Sequence, residues 1–160
     1  PPAPGPLIFQ PYHDDHRGRL GQLIERTYIG SLDCPALDGL REIEDVITGY
    51  QATGRYDPAR WFFVRHADTD VGLLLLTSHA PARQWELVYM GLVPEARGHG
   101  WGEMIARFAV WRAGQGRAEQ LVLAVDAANI PVCRIYERVG FTPWDHRTVW
   151  IRRFRNPTAV

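Results

Sequence analysis

The sequence contains no lysine, and its 18 basic residues other than histidine are all arginines. A phosphate-binding P-loop ends in Gly-Lys-Ser/Thr, so that class of nucleotide site is excluded. The arginines are balanced by 18 acidic residues, which gives a formal net charge of zero and a pI of about 7.5. This balance argues against a basic surface that binds nucleic acid. We therefore expect no nucleic acid among the partners.

Cysteine is scarce, and long apolar runs are missing. Cys34 and Cys133 are the two cysteines. Their spacing is not one that binds zinc, so we expect no metal. A disulfide between them is left open. A reduced, cytoplasmic protein is the simpler expectation. No apolar run reaches the roughly 18 residues of a membrane helix, and the start does not have the plan of a signal peptide. We therefore expect no membrane contact.

The length of 160 residues suits one domain with its own core. The first six residues, PPAPGP, are typical of a linker or of a remnant left by trimming. The sequence opens on Pro1 instead of methionine, which leaves open a further domain on the N-terminal side. We assign residues 7–156 to a single domain and residues 157–160 to a tail.

The first half of the sequence predicts a strand, two helices and a meander. The strand is Leu7–Tyr12, and apolar residues at helical spacing follow it in HDDHRGRLGQLIERTYIG and again in Asp38–Tyr50. Short connections between the next extended runs favour antiparallel pairing. Those runs are ARWFFVRHA, DVGLLLLTSH and WELVYMGLV.

The second half predicts a parallel step in the sheet. A helix begins near Trp101, and glycines at 114 and 116 are placed to end it. LVLAV, residues 121–125, is typical of a strand covered on both faces. A helix from the N-cap Asn129 to Gly140 follows, and then come two extended runs, FTPWDH and TVWIRRF. We predict a mixed α/β (α+β) sheet in the order β-α-α-β-β-β-α-β-α-β-β with a central parallel pair.

Three glycines at alternate positions precede the third helix. They are Gly98, Gly100 and Gly102 in VPEARGHGWGEMIARF. The free N–H groups of a first helical turn, together with the helix dipole, form an anion site that side chains here would block. The dinucleotide fingerprint G-x-G-x-x-G is disfavoured because Glu103 stands where its third glycine belongs. The spacing therefore indicates another class of phosphate ligand.

The run RGHGWG, from Arg97 to Gly102, resembles the R/Q-x-x-G-x-G/A signature of the GNAT superfamily of acetyl-coenzyme-A-dependent N-acetyltransferases. LVPEARG, LVLAVDAANIPVCRIYERVGF and the order of elements are also similar, so the resemblance covers Leu7 to Phe154. It implies direct transfer of an acetyl group, or another short acyl group, from acetyl-coenzyme A to a primary amine, with no metal. The coenzyme A contacts that we assign in this way are Leu92, Val93, Arg97, Gly98, His99, Gly100, Trp101, Gly102 and Asn129.

Gly91 lies inside the strand WELVYMGLV. A glycine in a strand marks a bulge or a close approach. The resemblance implies a bulge that splays this strand from the next parallel one and admits the pantetheine arm beside Leu92 and Val93. The alternative is that Gly91 makes room for a packed side chain such as Trp111.

The chemistry requires a neutral amine, although amines with a pKa near roughly 10 are mostly protonated at pH 7. A base or a water path is therefore expected, and an acid would help the thiolate to leave. By resemblance to RxxYxxxGF, Tyr136 matches the general acid, although its apolar helical stripe would also bury the ring. Glu86 is the first choice of base, because several family members carry a glutamate on this strand, and Tyr89, Asp126 or His79 are alternative relays.

The sequence does not identify the acceptor, and we expect a small-molecule or peptide amine. A non-catalytic module that binds acyl-coenzyme A and regulates or supports a fused or partner domain is the alternative function. The segment between residues 30 and 57 and the last hairpin are where we expect the acceptor to bind, and TVWIRRF could pair across a homodimer. Acidic residues in that segment suit a cationic amine or form a solvated helix face: Asp33, Asp38, Glu42, Glu44 and Asp45.

Overall fold

The computed structural model describes residues 5–35, 39–150 and 152. The order of its elements agrees with the predicted order as far as the fourth helix. The helices and strands are β1 (Leu7–Pro11), α1 (Arg17–Tyr28), α2 (Ile43–Ala52), β2 (Trp61–His66), β3 (Thr69–His79), β4 (Gln84–Leu92), α3 (Trp101–Gln115), β5 (Gln120–Leu123) and α4 (Ile130–Val139). Among the described residues, no helix is long and apolar enough to cross a membrane.

The strands form one mixed sheet in the order β1-β2-β3-β4-β5. The first four strands pair antiparallel, whereas β4 and β5 are parallel. Helix α3 connects β4 to β5, and a crossover of this kind is what makes two adjacent strands parallel. The predicted meander and the predicted parallel step are both confirmed.

Helices cover both faces of the sheet. The ring of Phe62 on β2 contacts Phe108 of α3 at 5.2 Å, while the guanidinium of Arg19 on α1 lies 3.9 Å from the ring of Phe63. Adjacent strand residues point to opposite faces, so α1 and α3 lie on opposite sides of the sheet. Strand β3 lies at the centre of the core, where Leu73, Leu74, Leu75 and Leu76 are fully buried.

Helix α2 begins later than predicted, at Ile43 instead of Asp38, which itself lies outside the described residues. Gly39 has a φ of +70°, a left-handed conformation that a right-handed helix does not contain. Leu40 is exposed and does not extend the buried stripe of α2. The apolar spacing from Leu40 to Ile43 was therefore a coincidence of composition.

The two closing strands are not found in the described residues. Residues 141–150 form no strand, and the side chains of Trp144 and Trp150 are 81% and 90% exposed. Aromatic and β-branched residues favour strands only where a partner and burial are available, and Pro143 removes an N–H from the first run. The rest of TVWIRRF, apart from Arg152, lies outside the described residues, so the dimer prediction is untested.

Strand β5 is shorter than predicted and only half buried. It spans Gln120–Leu123, whereas the apolar run continues to Val125. Gln120 is exposed, and the other three residues of the strand are only partly buried. The prediction of a strand covered on both faces is wrong.

Candidate functional site

Strands β4 and β5 separate towards their carboxyl ends. Their pairing stops at Leu87 with Leu123, whereas β4 continues to Leu92. A bulge lies at this point: Leu75 of β3 pairs with Tyr89 and the next residue of β3 pairs with Leu87, so Val88 is an extra residue on β4. A bulge bends the strand that carries it. The result is a wedge-shaped opening between β4 and β5.

Gly91 is not part of the bulge, which lies three residues earlier. A Cβ on Gly91 would lie 2.6 Å from Tyr89 Oη and 2.9 Å from Thr27 Cβ. The hydroxyls of Tyr89 and Thr27 are themselves 2.6 Å apart and hydrogen bonded. Gly91 therefore makes room for packed side chains, with Thr27 and Tyr89 in the place where Trp111 was expected.

A cavity of about 560 Å³ occupies the wedge. Its walls are the second half of β4, the glycine turn before α3, the start of α4 and the segment that follows α1. The structure brings most of the predicted site residues together there, namely Leu92, Arg97, Gly98, Gly100, Trp101, Gly102, Asn129 and Tyr136. Val93, His99 and Glu86 are not among the lining residues.

The three glycines of the turn meet two different requirements. Gly98 and Gly100 have φ angles of +82° and +76°, which L-residues rarely adopt, and a Cβ at either position would meet nothing within 4 Å. A Cβ on Gly102 would lie 3.0 Å from Ile135 Cδ1 of α4. The first two glycines shape the turn, and the third allows α4 to approach the first turn of α3.

The backbone N–H groups of this turn are unpaired. Gly100 is the N-cap of α3, and glycine has no side chain with which to cap the helix. Within the described part of the chain, the N–H groups from Gly98 to Gly102 have no hydrogen-bond acceptor. The Arg97 N–H, by contrast, donates to Pro94 O at 3.2 Å. Free N–H groups at a helix start attract anions, so the turn is suited to a phosphate.

The Arg97 guanidinium is already engaged with backbone carbonyls. It donates to Leu92 O at 3.2 Å, to Gly30 O at 3.1 Å and to Thr27 O at 2.9 Å. These bonds tie the end of α1 to the glycine turn. The side chain of Arg97 therefore positions the turn, and its charge lies beside the anion site.

Sequence reasoning missed Arg138, which lines the cavity from α4. Its Nε donates to Glu103 Oε2 at 2.9 Å, and Arg107 donates to the other oxygen of the same carboxylate. Arg138 first, and then Arg107, lower the pKa of Glu103. The sequence did hold a signal for Arg138. It lies about one helical turn after Ile135, so the two side chains share the face of α4 that meets α3.

Tyr136 lines the cavity although only 8% of it is exposed. Burial raises the pKa of its hydroxyl, and the negative charge of Asp33 raises it further. The hydroxyl makes no hydrogen bond to any described residue. Tyr136 therefore keeps its proton. Its hydroxyl has no acceptor among the described residues, so it can donate to a molecule in the cavity.

Glu86 does not lie beside Tyr136 in the cavity lining. Its Oε2 is 2.7 Å from His79 Nε2, and the two side chains form a pair near the start of β4. Among the alternative relays, Tyr89 lines the cavity, and burial raises the pKa of its hydroxyl. The structure thus brings Tyr89 to the cavity but not Glu86 or His79.

Asn129 lies at the N-cap position of α4 and lines the cavity. Its backbone oxygen accepts from Cys133 N at 3.1 Å, but its side chain makes no capping bond. The prediction of a side-chain cap is therefore wrong. The amide stays available to a molecule in the cavity.

Asp33 also lines the cavity, although the sequence only placed it in an acidic stretch. Its Oδ1 accepts from Asp126 N at 2.8 Å, and Asp126 Oδ2 accepts from Cys34 N at 3.3 Å. These bonds join the segment after α1 to the loop between β5 and α4. Cys34 and Cys133 are both free thiols.

The chain matches one known family and is similar to several solved structures. A family model described as the acetyltransferase (GNAT) family matches residues 25–141. The mycothiol acetyltransferase of Thermobispora bispora is 34% identical over 94 residues, which cover 56% of this chain and 32% of the relative. The mycothiol acetyltransferase of Streptomyces bingchenggensis is 32% identical over 107 residues, which cover 66% and 33%. The chain spans about a third of the length of these curated relatives.

Two solved structures have the same fold over most of this chain. A GCN5-related N-acetyltransferase from Sphaerobacter thermophilus has a TM-score of 0.67 at 17% identity, covering 88% of this chain and 43% of that one. The spermidine N-acetyltransferase from Vibrio cholerae, in complex with CoA and spermine, has a TM-score of 0.67 at 17% identity, covering 88% and 83%. At such identities the likeness establishes the architecture and nothing finer.

Proposed function

Because this chain belongs to the acetyltransferase (GNAT) family, we propose that it binds acetyl-coenzyme A in the wedge between β4 and β5 and transfers the acetyl group to a primary amine. The predictions of the family and of the fold class are confirmed. The observation that carries the proposal is the glycine turn, where unpaired N–H groups line the cavity of about 560 Å³.

The pyrophosphate of the coenzyme is assigned to the backbone of the turn. The N–H groups of Gly98 to Gly102, including those of His99 and Trp101, would donate to its oxygens. The ring of His99 packs on Trp101 at 4.9 Å, and Trp101 packs on His66 at 4.7 Å, so these side chains have protein partners of their own. The tethered Arg97 supplies positive charge beside the anion, and Arg138 lines the same cavity while paired with Glu103.

The pantetheine arm is assigned to the free edge of β4. Val93 N donates to Val71 O of β3 at 3.0 Å, so the Val93 N–H is not available to the arm. Backbone groups alternate in direction along a strand, which turns those of Leu92 and Met90 towards the edge that β5 leaves open. Leu92 O already accepts from Arg97 Nε at 3.2 Å, so at Leu92 only the N–H is left for the arm. The contact expected at Leu92 and Val93 is therefore reassigned to Leu92 and Met90, and Asn129 faces the same cavity.

The chemistry requires two proton movements. Attack by the neutral amine forms a C–N bond and breaks the C–S bond, so one proton leaves nitrogen and one must reach the departing sulfur. Tyr136 is our candidate for the second proton, because its hydroxyl is protonated and has no internal acceptor. Glu86 stays our candidate base, acting through water with His79, because its carboxylate does not line the cavity.

A thiol-release assay tests the proposal. Acetyl-coenzyme A is supplied with a panel of primary amines, and free thiol is measured against a blank without amine. We expect amine-dependent release by the wild type, together with the acetylated amine by mass spectrometry. A protein that binds acetyl-coenzyme A but gives no amine-dependent release with any acceptor would instead support the non-catalytic binding module.

A further inference from the structure

We propose that Asp33 binds a second positive charge on the acceptor, so that the substrates are primary amines that carry a further cationic group. The inference rests on the proposed function and names its substrate class. Among the described residues that line the wedge cavity, Asp33 is the one carboxylate.

Asp33 is held in place on both sides. Its Oδ1 accepts from Asp126 N at 2.8 Å, and its own N–H donates to Ser31 Oγ at 3.1 Å. The neighbouring Cys34 N–H donates to Asp126 Oδ2 at 3.3 Å. Its Oδ2 accepts no hydrogen bond from the described residues. A fixed carboxylate with one free oxygen can accept a hydrogen bond from a ligand without first changing its position.

Asp33 lines the same cavity as the proposed acid, Tyr136. Its charge raises the pKa of Tyr136 and of Tyr89, in each case as an addition to the larger effect of burial. Both tyrosines line the same cavity. A cationic group bound at Asp33 would therefore lie in the same cavity as Tyr136, the proposed acid.

No arginine of the cavity neutralises Asp33 among the described residues. Arg97 donates to three backbone carbonyls, and Arg138 pairs with Glu103 at 2.9 Å. The cavity therefore has two kinds of binding group. The N–H groups and arginines suit a phosphate, whereas the carboxylate of Asp33 suits a cation. Complementary charge of this kind selects a partner more than it adds raw affinity.

A group that stays protonated at Asp33 is not the reacting nitrogen. A carboxylate beside an amine stabilises the ammonium form and raises its pKa, and an ammonium has no lone pair with which to attack. Asp33 in contact with the nucleophile would oppose the reaction. The geometry therefore fits an acceptor whose second cationic group reaches Asp33 while its neutral amine reaches the thioester.

The test compares putrescine with aminobutanol of the same chain length, which replaces one ammonium by a hydroxyl. We expect wild-type kcat/KM to be about tenfold or more higher for the diamine, the size of a charge-assisted hydrogen bond. Asp33→Asn keeps an oxygen for Asp126 N–H and removes the charge, so the ratio should fall towards the statistical factor that the two equivalent amines of putrescine give. Asp45→Asn, an exposed acid of α2 outside the cavity, is the matched control and should keep the ratio.

Two further measurements keep the outcome clear. Raising the salt concentration should lower the wild-type diamine preference, because screening weakens an exposed charge pair. Calorimetry with acetyl-coenzyme A separates the two claims: a wild type that does not bind it contradicts the proposed function. A wild type that binds it but shows no diamine preference, or an Asp33→Asn variant that keeps the preference, overturns the role of Asp33 alone.

Discussion

Replacing Gly100 by alanine tests whether the left-handed turn is what forms the anion site. Gly100 has a φ of +76°, and an added Cβ would meet nothing within 4 Å, so the change introduces backbone strain without a clash. That strain is about 1–2 kcal/mol for an L-residue. In a domain of this size it corresponds to a Tm lower by roughly 2–8 °C.

The same change should weaken coenzyme binding. If the turn relaxes to a negative φ, the N–H groups of Trp101 and Gly102 change direction relative to that of Gly98. We expect the Kd for acetyl-coenzyme A to rise about tenfold, which corresponds to the loss of one hydrogen bond to a charged group.

Gly18→Ala is the matched control for this experiment. Gly18 lies in α1, and a Cβ there also meets nothing within 4 Å, but its φ is not in the left-handed region. Alanine in a helix is more stable than glycine by roughly 0.5–1 kcal/mol, so the two changes should move Tm in opposite directions. A Gly100→Ala protein with wild-type Tm and wild-type affinity would refute the reasoning.

Three other changes test the remaining assignments. Tyr136→Phe keeps the packing and removes the hydroxyl, so kcat should fall about a hundredfold at an unchanged Kd for acetyl-coenzyme A; turnover within twofold of wild type would exclude the acid role. Glu86→Gln should alter the pH dependence of kcat/KM, and an unaltered profile would mean that Glu86 is not the base. Gly91→Ala places a Cβ 2.6 Å from Tyr89 Oη and should lower the free energy of unfolding by about 1–3 kcal/mol, measured by urea denaturation; wild-type stability would contradict the packing role of Gly91.

The features that were predictable from the sequence are local ones. Gly140 ends α4 with a φ of +99°, and Pro131 lies in its first turn, as the pattern of caps and breakers indicated. The glycine turn is equally local, because its conformation and its place before a helix are set by adjacent residues. These signals act over a few residues and do not depend on the partner element.

The features that were not predictable depend on contacts between distant segments. The resemblance implied a bulge in this strand, but its position at Val88 arises from the register between β3 and β4, and no residue type marks it. Asp33 reaches the cavity through a bond to Asp126, 93 positions along the chain. The strand propensity of FTPWDH was misleading because propensity does not supply a pairing partner.

Calorimetric titration with acetyl-coenzyme A tests the central claim most directly, with free coenzyme A and a nicotinamide dinucleotide as comparisons. The account predicts micromolar binding of the two coenzyme A species and none of the dinucleotide, because the wedge and the glycine turn together fit a pyrophosphate with a pantetheine arm. Absence of coenzyme binding up to millimolar concentration, or equal binding of the dinucleotide, would contradict it.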